Sequence, residues 1–236
     1  MRDNKIDYNC YIGNWPFHKL RKNKFSDILR MHRENDIDYG YISKIESVFY
    51  NDPYESEYEL YSKIKGSGYK QVMTLNPTLD TCINTLKRGI KNLKIKGVRL
   101  APCFHLYSIN DDLVKEIIPY LKEYDLPLFI NIRFEDERSS YLLHPNPVPM
   151  DDVKKFINDN KDIEIILCTI SFHEVLKIKE DILGSNNVYF DTSGFKDKLF
   201  AMPEIRKEGL SKRARFGSMA PIFCFESSYL IYNEED

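Results

Sequence analysis

The chain has 236 residues, of which 42% are hydrophobic, including 16 Tyr and 14 Phe, enough for one α/β domain with a large core. Thirty-four Lys and Arg stand against 36 Asp and Glu, and the formal net charge of −2 excludes an electrostatic footprint for nucleic acid or an anionic membrane. No window approaches eighteen apolar residues and the opening MRDNKIDYN is too charged for a signal peptide, so a cytoplasmic protein without a membrane span is expected.

Eight short runs rich in Ile, Val, Leu, Phe and Tyr read as strands buried on both faces: residues 5–11, 39–43, 71–75, 97–101, 127–132, 164–168, 188–191 and 215–217. Helical spacing fills the intervals. Residues 25–35 put Ile28, Leu29 and His32 on one stripe, and residues 78–93 carry Cys82, Ile83, Leu86 and Ile90 at three- and four-residue steps. Residues 112–124 carry Val114, Ile117, Ile118 and Leu121, with Pro119 placed to bend them. A further helix at 151–160 follows Pro149. Another, at 174–183, stops at Gly184, and Ser171 with Glu174 has capping-box spacing ahead of it. The last stretch, 219–236, has Phe223, Phe225, Tyr229 and Leu230 as the apolar face of a short closing helix.

Strand and helix alternating to a count of eight predict a single α/β domain over residues 1–236, a (β/α)8 TIM barrel. The glycine-dense stretches Gly66-Ser67-Gly68 and Gly217-Ser218 lack the phosphate-cradling spacings that a doubly wound sheet would carry. Five cysteines, odd in number and without a CxxC pair, fit neither a disulfide framework nor a cysteine zinc site. Cys10 and Cys168 alternate with mouth positions and are expected in the core.

A parallel barrel presents its chemistry at the C-terminal ends of its strands. Those ends hold Asn9-Cys10-Tyr11, Arg99, Asn131 with Arg133, Cys168-Thr169, Asp191-Thr192 and Ser218-Met219. Longer βα segments at 46–54, 102–110 and above all 133–149 are the expected place for specificity.

The stretches IDYNCYIGNWPF, KGVRLAPCFHLYSI, LPLFINIRFEDER, IEIILCTIS, NVYFDTSG and ARFGSMAP resemble, in order and spacing, the amidohydrolase superfamily, most closely its amidohydrolase-related (amidohydrolase 2) group of metal-dependent hydrolases and decarboxylases. The resemblance runs from Ile6 to Pro221. It implies a (β/α)8 barrel with a His-x-His on strand one, histidines on strands five and six, and an Asp closing strand eight. Here those positions hold Asn9 and Tyr11, Asn131, Thr169, and Met219, the last in GSMAP where the family has GSDAP. Amide oxygen, phenol and thioether are poor ligands for a hard divalent ion, so no metal ligands and no cofactor are expected.

The histidines do not obviously replace the lost set. His105 lies beyond strand four and His173 shortly after strand six, and both are candidates for acid–base work with Arg133 as the electrophilic partner. A zinc site built from His105, His144 and His173 is geometrically conceivable. Asn9, Tyr11, Arg99, Asn131, Thr169, Asp191 and Met219 are the candidate substrate-lining residues. Arg133, two residues beyond Asn131 and so on the same side of the strand, is placed to recognise a small anionic metabolite at the entrance. Its structural alternative is an ion pair with Glu135, Asp136, Glu137 or Asp191. The favoured expectation is a barrel that kept its scaffold, lost metal-dependent hydrolysis and binds a small carboxylate. An active esterase, lactonase, C–N hydrolase or decarboxylase acting on a small carboxylic acid stays open. So do a structural or regulatory subunit and homo-oligomerisation.

Overall fold

A computed structural model describes residues 5–135, 145–196 and 198–235. Nine strands occur among them: β1 (Ile6–Ile12), β2 (Tyr39–Lys44), β3 (Lys70–Gln71), β4 (Met73–Leu75), β5 (Val98–Leu100), β6 (Leu128–Asn131), β7 (Ile165–Cys168), β8 (Val188–Asp191) and β9 (Ala214–Arg215). Every pairing is parallel, in the order β1-β2-β3 and then β4 through β9. Strands β3 and β4 are halves of one stave. Val72 between them donates its amide to the Ile42 carbonyl on one side, and the Met73 amide turns to Gly97 on the other.

Backbone bonds from Tyr8 N to Phe216 O (2.8 Å), Tyr11 N to Ala220 O (2.8 Å) and Met219 N to Asn9 O close β1 against the segment after β9. The result is an eight-staved closed barrel, as the strand count predicts. The last stave is shorter than residues 215–217, because regular pairing ends at Arg215 and the chain continues as loop through Met219.

A register shift in β1 between Asp7 and Cys10 sets the whole interior. An inserted residue breaks strict alternation. Tyr8, Asn9 and Tyr11 all reach the inside, where Tyr8 packs on Tyr41 and Asn9 meets Asp191, while Cys10 and Ile12 pack outward with Ile28 of the first helix. The barrel interior is therefore layered. Its floor is Val72, Phe129, Ile166 and Cys168 with Tyr8, Tyr41 and Tyr189. Its middle is polar. Its top is an aromatic group of Tyr11, Trp15, Phe104 and Phe134.

The helices fall close to their predicted places, at Phe25–Glu34, Met150–Asp159 and Phe225–Tyr232 among others. The expected helix at 112–124 is two pieces, Asp112–Lys115 and Ile118–Glu123, because Pro119 has no amide to continue the first and fits the opening turn of the second. Residues 78–93 begin as a helix only at Cys82 and finish in a π-turn over Gly89–Leu93. Residues 174–183 split at Ile178 into Phe172–Lys177 and Lys179–Gly184. The first piece starts two residues early because the Ser171–Glu174 capping box closes at its N-terminus. Helix Tyr54–Ile64, not anticipated, covers β2 and β3. In the closing helix Phe225 is buried but Leu230 is 69% exposed, so Leu230 does not belong to the apolar face. No helix among the described residues is long and apolar enough to cross a membrane.

Candidate functional site

The structure brings Asn9, Tyr11, Arg99, Asn131, Thr169, Asp191 and Met219 together in the polar middle layer, each with no solvent exposure. Arg99 is the centre. Its register partners Thr74 and Phe129 flank it inside the barrel, and its Nη1 donates to Asn131 Oδ1 (2.7 Å) and Asn9 Oδ1 (2.9 Å). Its Nε donates to Ser43 Oγ at 2.9 Å, and its guanidinium lies 4.7 Å from the centre of the Tyr11 ring. Nη2 is buried without a hydrogen-bond partner. Burial works against the charge, but the Tyr11 phenol, the Cys168 thiol and the Asp191 carboxylate around it hold the pKa above the ordinary arginine value.

From Arg99 the network runs through Asn9, whose Nδ2 donates to Asp191 Oδ2 at 2.7 Å and approaches Met219 Sδ at 3.4 Å. Asp191 Oδ1 accepts from the Thr169 amide, the Ser193 amide and the Ser193 hydroxyl. Burial pushes this carboxyl up, and those donors, with Asn9, pull it back. The bond to the Thr169 amide also fixes a β-branched residue at φ 57°, a region such residues avoid. Gly217 leaves the room this requires, since a Cβ there would stand 2.7 Å from Asp191 Cβ.

One expectation about direction needs correcting. Cys168 is a core residue as expected, but it belongs to the core inside the barrel and not to the layer under the helices. It pairs in register with Asn131 and faces the axis, and Thr169 reaches the same site only because its left-handed backbone turns it back inward. Cys10, by contrast, does face outward into the core.

The three candidate acid–base and electrophilic residues do not join this network. His105 Nε2 is 2.7 Å from the Val48 carbonyl and its Nδ1 is buried without a hydrogen-bond partner, while burial lowers its pKa. His173 is exposed on its helix, edge-on to Phe172. Arg133 stands at the rim in an ion pair, but its partner is Glu174 and not Glu135 or Asp191: Glu174 holds both Nη atoms at 2.8 and 2.6 Å. Its Nη1 also donates to the Thr169 carbonyl at 3.0 Å. His144, Asp136 and Glu137 lie outside the described residues, and so does the His144 corner of the conceivable zinc trio.

The mouth above the network is filled. Trp15 stacks on Phe134 with 9° between the rings, meets Phe49 and Phe104 edge-on, and donates its indole N–H to Glu135 Oε1 at 2.7 Å. Tyr11 packs beneath Phe134. A cavity at the rim between Phe104, Arg133, Phe134 and Pro147 has about 20 Å³, room for a water molecule. The sequence signal for this plug was the Trp-Pro-Phe run at 15–17. Ser43 carried no such signal, and the capping-box spacing that marks Glu174 says nothing of its pairing with Arg133.

Asn9, Asn131 and Met219 do not fit a divalent ion. Two amides and a thioether face one another across a buried guanidinium, with Asp191 the single carboxylate among the described residues bonded to the cluster. A cation placed there would meet a fixed positive charge and find one anionic ligand.

No protein-family model matches the chain, and no curated protein does either. Solved structures do. A 5-carboxyvanillate decarboxylase variant from Novosphingobium aromaticivorans, with bound manganese, matches over 99% of this chain and 91% of its own with a TM-score of 0.68 and 10% identity. A probable 2-pyrone-4,6-dicarboxylic acid hydrolase from Acinetobacter baumannii, with citric acid bound, matches over 98% and 90% with a TM-score of 0.67 and 12% identity. An amidohydrolase 2 from Bifidobacterium longum subsp. infantis matches over 97% and 90% with a TM-score of 0.65 and 13% identity. At such identities the likeness is one of fold. The chain has the (β/α)8-barrel fold that these structures share.

Proposed function

We propose that this chain is an amidohydrolase-type barrel that has exchanged metal-dependent hydrolysis for an arginine-centred, hydrogen-bonded interior, and that it serves as a non-hydrolytic binding or structural protein. One observation carries this reading: the Arg99 Nη1 atom is bonded to both Asn9 and Asn131, the residues standing at family metal-ligand positions. An attacking water at the axis would have no metal to lower its pKa and no free base beside it, because Asp191 spends its oxygens on four donors. The aromatic plug supports the same reading, since a substrate would have to displace Trp15 and Phe134 to reach the axis.

The test is turnover. Purified protein, with and without added zinc or manganese, is assayed against a panel of esters, lactones, amides and aromatic carboxylic acids. No turnover above the metal blank is expected, and metal-stimulated hydrolysis or decarboxylation that disappears in Asp191→Asn would establish the active-enzyme reading instead.

Recognition of a small carboxylate would run through Arg133 at the rim, by exchange of the Glu174 carboxylate for that of the ligand. Glu174 is anchored by the Ser171 amide and hydroxyl as well as by Arg133, so the exchange is unfavourable. Calorimetry with mono- and dicarboxylates is expected to show affinity no better than millimolar. Tighter binding that is lost in Arg133→Ala would make the barrel a carboxylate-binding protein.

A further inference from the structure

On the outer side of β1, a carboxylate, a thiol and an imidazole converge. Asp7, Cys10 and His32 each offer a ligand atom, all within 4.8 Å of one another, and none of the three residues is more than 1% exposed. In an unbroken strand, residues three apart point to opposite faces. The register shift between Asp7 and Cys10 puts both on the helix-facing side, where His32 of helix Phe25–Glu34 meets them. Gly40 on β2 completes the enclosure, since a Cβ there would lie 2.8 Å from Cys10 Sγ and 3.2 Å from His32 Cε1.

We propose that Asp7, Cys10 and His32 form a structural zinc site, separate from the barrel axis and independent of the reading given to it. A carboxylate and a thiolate with a neutral imidazole neutralise a divalent ion, and thiolate with imidazole favours zinc over magnesium, calcium or manganese. Asp7 Oδ2 and His32 Nε2 are already 3.0 Å apart, near the roughly 3.3 Å that separates two ligand atoms each about 2 Å from a tetrahedral ion.

The outer contacts are in place as well. Asp7 Oδ1 accepts from the amides of Asn9 (2.9 Å) and Ser218 (3.0 Å), which fixes the carboxylate. His32 Nδ1 is 2.7 Å from the Tyr69 hydroxyl, the partner that a metal-bound imidazole needs on its other nitrogen. Binding releases one proton, from the Cys10 thiol. The His32 proton moves from Nε2 to Nδ1, where it is donated to the Tyr69 oxygen, and the phenol proton turns toward the adjoining cavity. That cavity, about 330 Å³ and lined by His32, Tyr69, Arg33, Asp36 and Ser67, borders the imidazole side of the site, from which a water would complete the coordination. Burial pushes the Cys10 thiol up, so the metal-free site stays neutral at this position and hydrogen-bonded elsewhere.

Cobalt titration of the full, untagged chain tests the proposal. Cys224, the exposed cysteine, is first replaced (Cys224→Ser) to remove an adventitious thiol. One equivalent of cobalt is expected to give a thiolate charge-transfer band with tetrahedral visible bands. Zinc at about one hundred times its Kd is expected to raise Tm by roughly 5–10 °C. Adding Cys10→Ala should abolish both signals. No band and no Tm shift, or a band that survives Cys10→Ala, overturns the site. If Cys10→Ala does not fold, mapped alkylation of the Cys224→Ser chain in urea just below its unfolding midpoint, where Cys10 becomes reachable, decides: slower labelling of Cys10 with zinc supports the site, and an equal labelling rate refutes it.

Discussion

Arg99 is the residue on which the interior depends. It brings a full charge into a space with no solvent, and its hydrogen bonds go to neutral amide and hydroxyl oxygens, with Asp191 one side chain further away. Replacing it with an apolar side chain of similar length removes the cation but leaves Asp191 buried and the Asn9 and Asn131 oxygens unserved. Arg99→Met is therefore expected to cost about 3–5 kcal/mol in urea unfolding. Adding Asp191→Asn should recover part of that cost. Costs that simply add across the double-mutant cycle would show that the two charges are not coupled. Glu57, wholly buried beside Gln71 and Thr74, makes a second residue-level prediction. Burial raises its carboxyl from 4.5 to about 7, against the pull of its Gln71, Ser47 and Thr74 hydrogen bonds and the Arg99 charge. Between those two values the folded chain holds a proton that the unfolded chain has lost. The contribution is thus fully present below the unfolded value and is lost as pH rises through about 7, at up to about 1.4 kcal/mol per pH unit. Glu57→Gln should flatten the stability profile across this window. The unpartnered Gln71 Oε1 can accept from the new amide if the Gln71 amide turns over. An unchanged profile would show that Glu57 does not titrate there.

At the scale of elements, the loop after β1 shows how closely the rim is built. Gly13 sits at φ 119°, and a Cβ on it would fall 1.9 Å from Glu46 Oε2, while Glu46 Oε1 accepts from the Asn14 amide and side chain. Gly13→Ala is expected to lower stability by about 1–3 kcal/mol, through backbone strain and displacement of Glu46 together. Differential scanning calorimetry would measure it, and a neutral substitution would mean that the loop can re-form elsewhere. The elements themselves were largely legible in the sequence: each predicted stave is found, because buried parallel strands announce themselves as apolar runs. What escaped was anything governed by tertiary context. The bulge in β1 leaves no local sequence mark, yet it decides that Asn9 faces in and Asp7 faces His32. The same holds for Cys168, whose direction follows from its pairing with Asn131, and for Arg133, whose partner Glu174 lies on the next βα unit. The capping box at Ser171 was readable from spacing alone. Its second use, holding a carboxylate against Arg133, was not.

For the whole molecule, the inward face of the barrel is a sequence of aromatic floor, polar middle and aromatic cap, and the cap seals it. Trp15→Ala should leave a cavity under Phe49 and Phe104 and remove the indole donor of Glu135, at about 3–5 kcal/mol measured by chemical denaturation. A smaller cost would show that the cap is loosely held. Phe49, Phe104 and Phe134 come from three different βα segments, so the barrel cannot open at its top without separating them. This arrangement has an optical consequence. Trp15 is the single tryptophan of the chain, and it is 3% exposed. Its emission therefore reports from one place, the seal over the axis, against the background of 16 tyrosines. Native protein should emit toward the blue, and any ligand, variant or denaturant that parts the indole from Phe134 should shift that emission to the red before the far-ultraviolet dichroism of the barrel changes. The chain thus carries its own gauge of whether the interior is open.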